Sequence, residues 1–323
     1  MNKETKMIKL FTHNDLDGIG CILLAQLAFG IDQVDFESCK YEDINERVQH
    51  FIENEEKLQY THCFITDISI REEVACNIHT LLENPSAYLP TSHFQLIDHH
   101  ISADALNQYP WCFVKVADDK GTKCSGTSLF YDYLKGLTAN KAWATPQVET
   151  FVEKIRRFDT WDWQALEDLE AKQLNDLLYI LGKERFTTYW YKRLLQPDMC
   201  FGFDETQLLL LEINQNEINE YISSRNEELI VKEVFGYKAG IVFANRFQSE
   251  LGNKLAELHP EVDFIAMINV GGGVSCRTVK EDINLATEIA GKLGGGGHQK
   301  AAGLPVGDEI REMVISAIFK CSS

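Results

Sequence analysis

Basic residues are scarce in this chain. Lys and Arg total 31 against 49 Asp and Glu, a formal net charge of -18. A surface of that sign repels a long phosphate backbone, which argues against a partner of long duplex nucleic acid. A mononucleotide or short oligonucleotide stays open as a ligand, because metal cations and a few local bases can reverse the sign inside a cleft. No run of about 18 apolar residues occurs, so no membrane-spanning helix and no membrane partner are expected. The opening MNKETKMIKLF has no apolar stretch and no cleavage site, so no signal peptide is expected. Nine cysteines are scattered along the chain, an odd number with no pair at CxxC spacing. That pattern excludes a disulfide framework and a zinc ribbon, and points to buried free thiols in a reducing cytoplasm. With 45% apolar and 25% charged residues the chain is neither disordered nor fibrous. Its 323 residues exceed one core, which stops growing near ~250, and suit two domains.

The first 130 residues alternate short apolar runs with helical patterns. Strands are predicted at 8–12 (IKLFT), 34–38, 61–65 (THCFI) and 93–97 (HFQLI), with helices at 19–29, 42–54 and 72–83. This βαβ rhythm predicts an α/β fold whose parallel sheet carries flanking helices. Ligands of such sheets sit at the carboxyl ends of the strands. Residues 126–196 read as helical, with Trp143, Trp161, Trp163 and Trp190 expected in the core. A charged helical segment over 207–232 is expected to join a smaller α/β domain. That domain has strands at 239–244, 264–270 and 273–278 and helices at 249–258 and 284–293.

Polar clusters fall at three predicted strand ends. His13, Asp15 and Asp17 alternate in HNDLDG; Asp67 follows the third strand; Asp98, His99 and His100 follow the fourth. Taken singly, Asp-x-Asp-Gly is usually a turn, His-His a packed pair and Asp67 a helix cap. Their joint occurrence at successive strand ends points to a shared site. Carboxylates and imidazoles without cysteine suit manganese or magnesium better than structural zinc. Two metals about 4 Å apart need a bridging carboxylate and ligands on each side, and these residues are enough to supply them.

At these positions the sequence resembles the DHH phosphoesterase family. The namesake motif stands as Asp98-His99-His100 in LIDHH, the first motif as THNDLDGIGC and the second as ITDIS. The fourth metal position is similar to Asp159 in IRRFDTWDW, with Asp162 as a competitor. The C-terminal part resembles the small domain that accompanies many family members, on the motif GGGGHQKAAG at 294–303. Within the family, FTHNDLDGIGC together with RFDTWDW is most similar to the NrnB-type oligoribonuclease (nanoRNase) branch.

The resemblance implies a DHH metal-binding domain over 1–203, a helical linker over 204–232 and a substrate-binding domain over 233–323. It implies that His13, Asp15 and Asp67 hold one manganese, and that Asp17, Asp67, His99 and Asp159 hold the other, with Asp67 bridging. Magnesium or cobalt are alternatives. Asp98 would orient the cluster, with metal ligation as its alternative role, and His100 would face the substrate phosphate. In the second domain, His298 and Arg277 are implied as anchors for the far end of the substrate. Gly296 and Gly297 would let the backbone approach it closely. Asn253 is a further candidate, with helix capping as its competing role. The implied reaction is hydrolysis of short oligoribonucleotides to nucleoside 5′-monophosphates by metal-activated water. A cyclic-dinucleotide or 3′-phosphoadenosine 5′-phosphate phosphoesterase, or a RecJ-like single-strand exonuclease, stays open as an alternative. So does a homodimer.

Overall fold

The computed structural model describes residues 8–54, 57, 59–83, 93–196 and 199–319. The reading of the first residues as carrying no signal peptide, and Cys321, lie outside that set. The chain divides into two compact units, Met1–Leu211 and Glu212–Ser323.

The first unit is built on five strands: β1 (Ile8–His13), β2 (Val34–Cys39), β3 (His62–Thr66), β4 (His93–Asp98) and β5 (Cys112–Val114). They pair in the order β2-β1-β3-β4-β5, all parallel. Side chains of a strand point alternately to its two faces. Thus Ile8 and Leu10 of β1 enter one core and Phe11 the other. The first core is closed by α1 (Leu16–Phe29), α4 (Gly126–Leu137), α5 (Pro146–Asp159), α7 (Leu169–Leu181) and α8 (Lys183–Leu194). The second is closed by α2 (Ile44–Glu53) and α3 (Glu72–Glu83). A one-turn α6 (Asp162–Ala165) follows α5. Every residue of α1 from Leu16 to Leu27 is buried, which is why its sequence is apolar all round. Trp143 and Trp190 are core residues as expected, but Trp161 is 53% exposed. It follows α5 in the left-handed conformation, φ 64°, and the helix break turns its ring outward.

Helix α9 (Glu205–Glu227) spans the boundary between the units. The second unit adds β6 (Ile230–Val234), β7 (Tyr237–Phe243), α10 (Gln248–Leu258), β8 (Phe264–Asn269), β9 (Gly273–Arg277), β10 (Gly296–Gly297), β11 (Ala301–Leu304) and α11 (Asp308–Phe319). Its six strands run β10-β11-β9-β8-β7-β6, with only β7 and β8 parallel. Leu251 and Leu255 of α10 pack on one face; Leu285 and Ile289 cover the other.

The expected helix over 207–232 ends at Glu227, and 230–232 belong to a strand instead. Phe235 and Gly236 both take positive φ, 53° and 88°, and form a two-residue turn that folds β6 back onto β7. The expected helix over 284–293 is a π-type turn, Ala286–Ala290, followed by a 3-10 turn, Gly291–Leu293. All eight described cysteines are free. Six are buried, whereas Cys76 and Cys200 are exposed, against the expectation of buried thiols throughout. No described helix is long and apolar enough to cross a membrane.

Candidate metal centre and phosphoester site

Strands β1, β3 and β4 are neighbours in register, with Thr12 beside Thr66 and Thr66 beside Ile97. Their carboxyl ends therefore deliver His13, Asp67 and Asp98 to one edge of the sheet. Asp15 caps α1 by accepting a hydrogen bond from the Gly18 N–H at 3.1 Å, and its other oxygen lies 2.6 Å from His13 Nδ1. Gly18 is required there, since a Cβ would stand 2.0 Å from the His13 carbonyl oxygen. Burial pushes the Asp15 carboxyl up, but the contacts with His13, the Gly18 N–H and Asp67 together hold the group below the usual carboxylate range.

Asp17 is buried in the first turn of α1, and the amino end of α4 fixes its carboxylate. Gly126 N–H donates to Oδ2 at 2.6 Å and Thr127 N–H to Oδ1 at 2.9 Å. Free N–H groups at a helix start favour an anion. Asp67 follows β3 with φ 58°, a left-handed conformation that aspartate tolerates better than most residues. Gly126 makes room for it: a Cβ at 126 would lie 2.4 Å from the Asp67 Cβ.

His99 joins these parts. Its Nε2 lies 3.3 Å from Asp67 Oδ1, 3.5 Å from Asp159 Oδ2 and 3.7 Å from Asp17 Oδ2. His99 Nε2, Asp67 Oδ2 and Asp159 Oδ2 are buried and make no hydrogen bond among the described residues. Burial and the neighbouring Asp17 and Asp15 push the Asp159 carboxyl up to about 8, and burial and the same two carboxylates push Asp67 well above its usual range. Burial lowers the His99 imidazole despite the upward pull of Asp17. The His99 ring nitrogen and several carboxylate oxygens thus face one point, and the buried polar atoms among them find no partner among the described residues. Buried acceptors left unpaired are costly, and a divalent cation satisfies them together. The donor set is oxygen with imidazole, suited to manganese, magnesium or cobalt. Three sets offer ligand atoms within 4.8 Å of one another: His13, Asp15 and Asp67; Asp17, His99 and Asp159; and Asp67, Asp98, His99 and His100. Asp162 is elsewhere engaged, accepting from Arg156 at 2.7 Å.

Asp98 is fully buried and turns toward His100. Its Oδ1 accepts from the backbone N–H of His99 and of His100 and lies 2.8 Å from His100 Nδ1, while Ser69 Oγ donates to Oδ2. Burial pushes the Asp98 carboxyl up, yet the contacts with His100 and Ser69 leave it lowered. The same Asp98 contact raises the His100 imidazole. Tyr41 lies across the rim, its hydroxyl 3.3 Å from His100 Nε2 and its ring centroid 5.1 Å from that of His13. Tyr41, Ser69, Gly126 and Thr127 are parts of the site that the sequence reading missed. Only Ser125-Gly126-Thr127, a capping signature before an apolar helix, carried a readable signal.

In the second unit, Ala301 pairs with Arg277 in the sheet, and His298 N–H donates to the Ala301 carbonyl at 2.7 Å. Arg277 and His298 therefore lie at one end of the sheet, on either side of β11. The Arg277 guanidinium is half-buried, donates to Ser249 Oγ at 3.3 Å and the Cys276 carbonyl at 2.9 Å, and has no ion pair among the described residues. Gly296 and Gly297 form a strand of this hairpin. At Gly297, φ 139°, a Cβ would meet the Ala301 oxygen at 2.6 Å. His298 is exposed with no side-chain partner among the described residues, and the Asn253 side chain on α10 makes no hydrogen bond among them.

A curated relative, oligoribonuclease NrnB of Bacillus subtilis (strain 168), is 38% identical over 316 residues, covering 97% of this chain and 76% of its own. The chain belongs to the DHH phosphoesterase family. It is thus a hydrolase whose namesake motif is the Asp98-His99-His100 turn that ends β4. No family model matches the chain. Among the solved structures of similar fold are two of the same family. The pGpG-specific phosphodiesterase PggH of Vibrio cholerae has a TM-score of 0.53 at 14% identity, covering 97% of this chain and 98% of its own. RecJ from Thermus thermophilus, in complex with Mn2+, has a TM-score of 0.52 at 16% identity, covering 95% and 50%.

Proposed function

We propose that this protein is a manganese-dependent phosphodiesterase that hydrolyses short oligoribonucleotides to nucleoside 5′-monophosphates in the cytoplasm. One observation carries the reading: His99 Nε2 and the oxygens of Asp17, Asp67 and Asp159 converge, and three of the converging residues keep a buried polar atom without a hydrogen-bond partner among the described residues. The likeness to the B. subtilis oligoribonuclease supports the substrate class, and the chain's charge of -18 disfavours longer polynucleotides.

His13, Asp15 and Asp67 would hold one cation, and Asp17, Asp67, His99 and Asp159 a second. Bound there, the ions would supply Lewis-acid polarisation of the phosphoryl oxygens and acidify a water. The chain's own residues do the rest. Asp98 fixes the tautomer and direction of His100, keeping the proton on Nδ1 and aiming Nε2 outward. The raised His100 imidazole presents positive charge to a non-bridging phosphate oxygen. Tyr41, whose phenol burial and the nearby carboxylates push up to about 12, stays a neutral hydroxyl beside it. Net hydrolysis adds water across a P–O3′ bond and leaves a 3′-hydroxyl and a 5′-phosphate. Arg277, His298, Asn253 and the Gly296-Gly297 backbone are the proposed contacts for the remainder of the substrate. The half-buried Arg277, which has no ion pair among the described residues, is the strongest of these.

The test uses purified, chelator-stripped protein with manganese, magnesium or cobalt restored. It is offered di- to pentaribonucleotides, cyclic dinucleotides, 3′-phosphoadenosine 5′-phosphate and pyrophosphate. Manganese-dependent release of 5′-monophosphates from the linear ribonucleotides, fastest for the shortest, is expected. Turnover confined to a cyclic dinucleotide or to 3′-phosphoadenosine 5′-phosphate would reject the reading.

A further inference from the structure

Beside His100 lies a cavity of about 460 Å³, bordered by Tyr41, Asn45, Ser69, Arg71, His100 and Leu106 among others. This volume falls within the ~300–1,000 Å³ usual for small-molecule sites. His100 and Ser69, which both contact Asp98, line it. Ile70, Ala103 and Leu106 border it with the small apolar edges that the adjoining core leaves uncovered. Arg71 is exposed, and its guanidinium makes no hydrogen bond or ion pair among the described residues. Its neighbour Glu72 is engaged, accepting from Gln108 at 3.2 Å. The backbone N–H of Arg71 donates to Asn45 Oδ1 at 2.7 Å, which pins the loop and leaves the Asn45 amide N–H2 free to donate. Only Ile70 separates Arg71 from Ser69, so the backbone between them spans at most ~7 Å. In a chain with an excess of 18 negative charges, an uncommitted guanidinium in the cavity that opens beside His100 is suited to a second anionic group of the substrate.

We propose that this cavity is a nucleotide subsite: it takes the nucleoside next to the scissile phosphate, with Arg71 pairing the adjacent phosphate and Ile70, Ala103 and Leu106 flanking the base. This rests on the oligonucleotide reading above and makes it specific. The preferred substrate carries at least two phosphates, so a 5′-phosphorylated dinucleotide outranks the corresponding dinucleoside monophosphate.

The experiment compares Arg71→Ala and Arg71→Lys with the full-length parent protein, with manganese present, on a 5′-phosphorylated diribonucleotide and on the same dinucleotide lacking the 5′-phosphate. Loss of one charge-assisted hydrogen bond predicts an increase of about ten-fold in KM for the phosphorylated substrate. The expected KM for the unphosphorylated one is unchanged within about two-fold. Arg71→Lys, which keeps the charge but not the fork, recovers part of the loss. The kcat and the manganese-induced rise in Tm stay at the parent's values. Equal losses on both substrates, or no loss on either, would overturn the subsite while leaving the oligonucleotide reading standing. A parent protein inactive on both would overturn that reading and the subsite with it.

Discussion

Replacing Asp159 by Asn should stabilise the metal-free protein while weakening the response to manganese. The Asp159 side chain is 23% exposed, its Oδ2 is buried with no hydrogen-bond partner among the described residues, and burial with Asp17 and Asp15 pushes its carboxyl up to about 8. A carboxyl whose folded pKa is raised binds its proton more tightly in the folded state. It therefore costs nothing below its unfolded pKa, and the cost grows as pH rises from about 4 to about 8. At pH 7 roughly three pH units of that window have been crossed. At 1.36 kcal/mol per unit this sets an upper bound of ~4 kcal/mol. Asn is nearly isosteric, loses no hydrogen bond and adds no charge, so about 2 kcal/mol of the bound is a reasonable yield once partial exposure is discounted. For a unit of this size that corresponds to several degrees, at ~2–4 °C per kcal/mol. Thermal unfolding in chelator at pH 7 should show the variant melting above the parent, with the gap closing toward pH 4. Adding manganese should reverse the order, because ligand at a hundred times its Kd adds about 2.7 kcal/mol to a protein that binds it, and the variant has lost one ligand. A variant that melts at or below the parent in chelator at pH 7, or that shows the parent's full manganese shift, would refute the convergence of these groups on a cation.

Three further outcomes are expected. Gly126→Ala drives a Cβ to 2.4 Å from the Asp67 Cβ, so it should cost about 1–3 kcal/mol by chemical denaturation and remove most turnover. Retention of both stability and kcat would show that Asp67 has room to move. Asp98→Asn removes the main cause of the raised His100 imidazole. Because a raised imidazole keeps its proton to higher pH, the alkaline limb of kcat/KM assigned to His100 should move to lower pH in the variant, as read from the full pH–rate profile. An unmoved limb would separate His100 from that ionisation. Arg277→Ala should raise KM for short oligoribonucleotides by about ten-fold with a small change in kcat, as lost charge-assisted binding does, and should leave the manganese Tm shift intact. Unchanged kinetics would remove Arg277 from substrate binding.

The sequence was most legible where one physical requirement acts alone. Strands β1 to β4 were predicted close to their observed bounds, because buried parallel strands need short apolar runs and their crossover helices need a 3.6-residue stripe. The chemistry could be placed because a parallel sheet exports the residue at each strand's carboxyl end. That is why His13, Asp67 and Asp98 meet although they lie 54 and 31 residues apart in turn. Legibility failed where tertiary contact overrides local preference. Ile230–Val234 carries Lys and Glu that suit a helix, yet the positive-φ pair Phe235-Gly236 and pairing with β7 make it a strand. Trp161 was expected inside by its type, but the left-handed residue that ends α5 faces solvent. The missed residues share a further cause. Gly126 and Thr127 act through backbone N–H groups and Gly126 through the absence of a side chain, so neither announces itself as a ligand. Yet without them Asp17 would be a buried carboxylate lacking donors and Asp67 would have no space. The acidic residues of the motifs supply the affinity for a cation, whereas the unmarked start of α4 makes their burial tolerable. Substitutions at 126 and 127 should accordingly damage the site through the position of the carboxylates, with every recognised motif residue still in place.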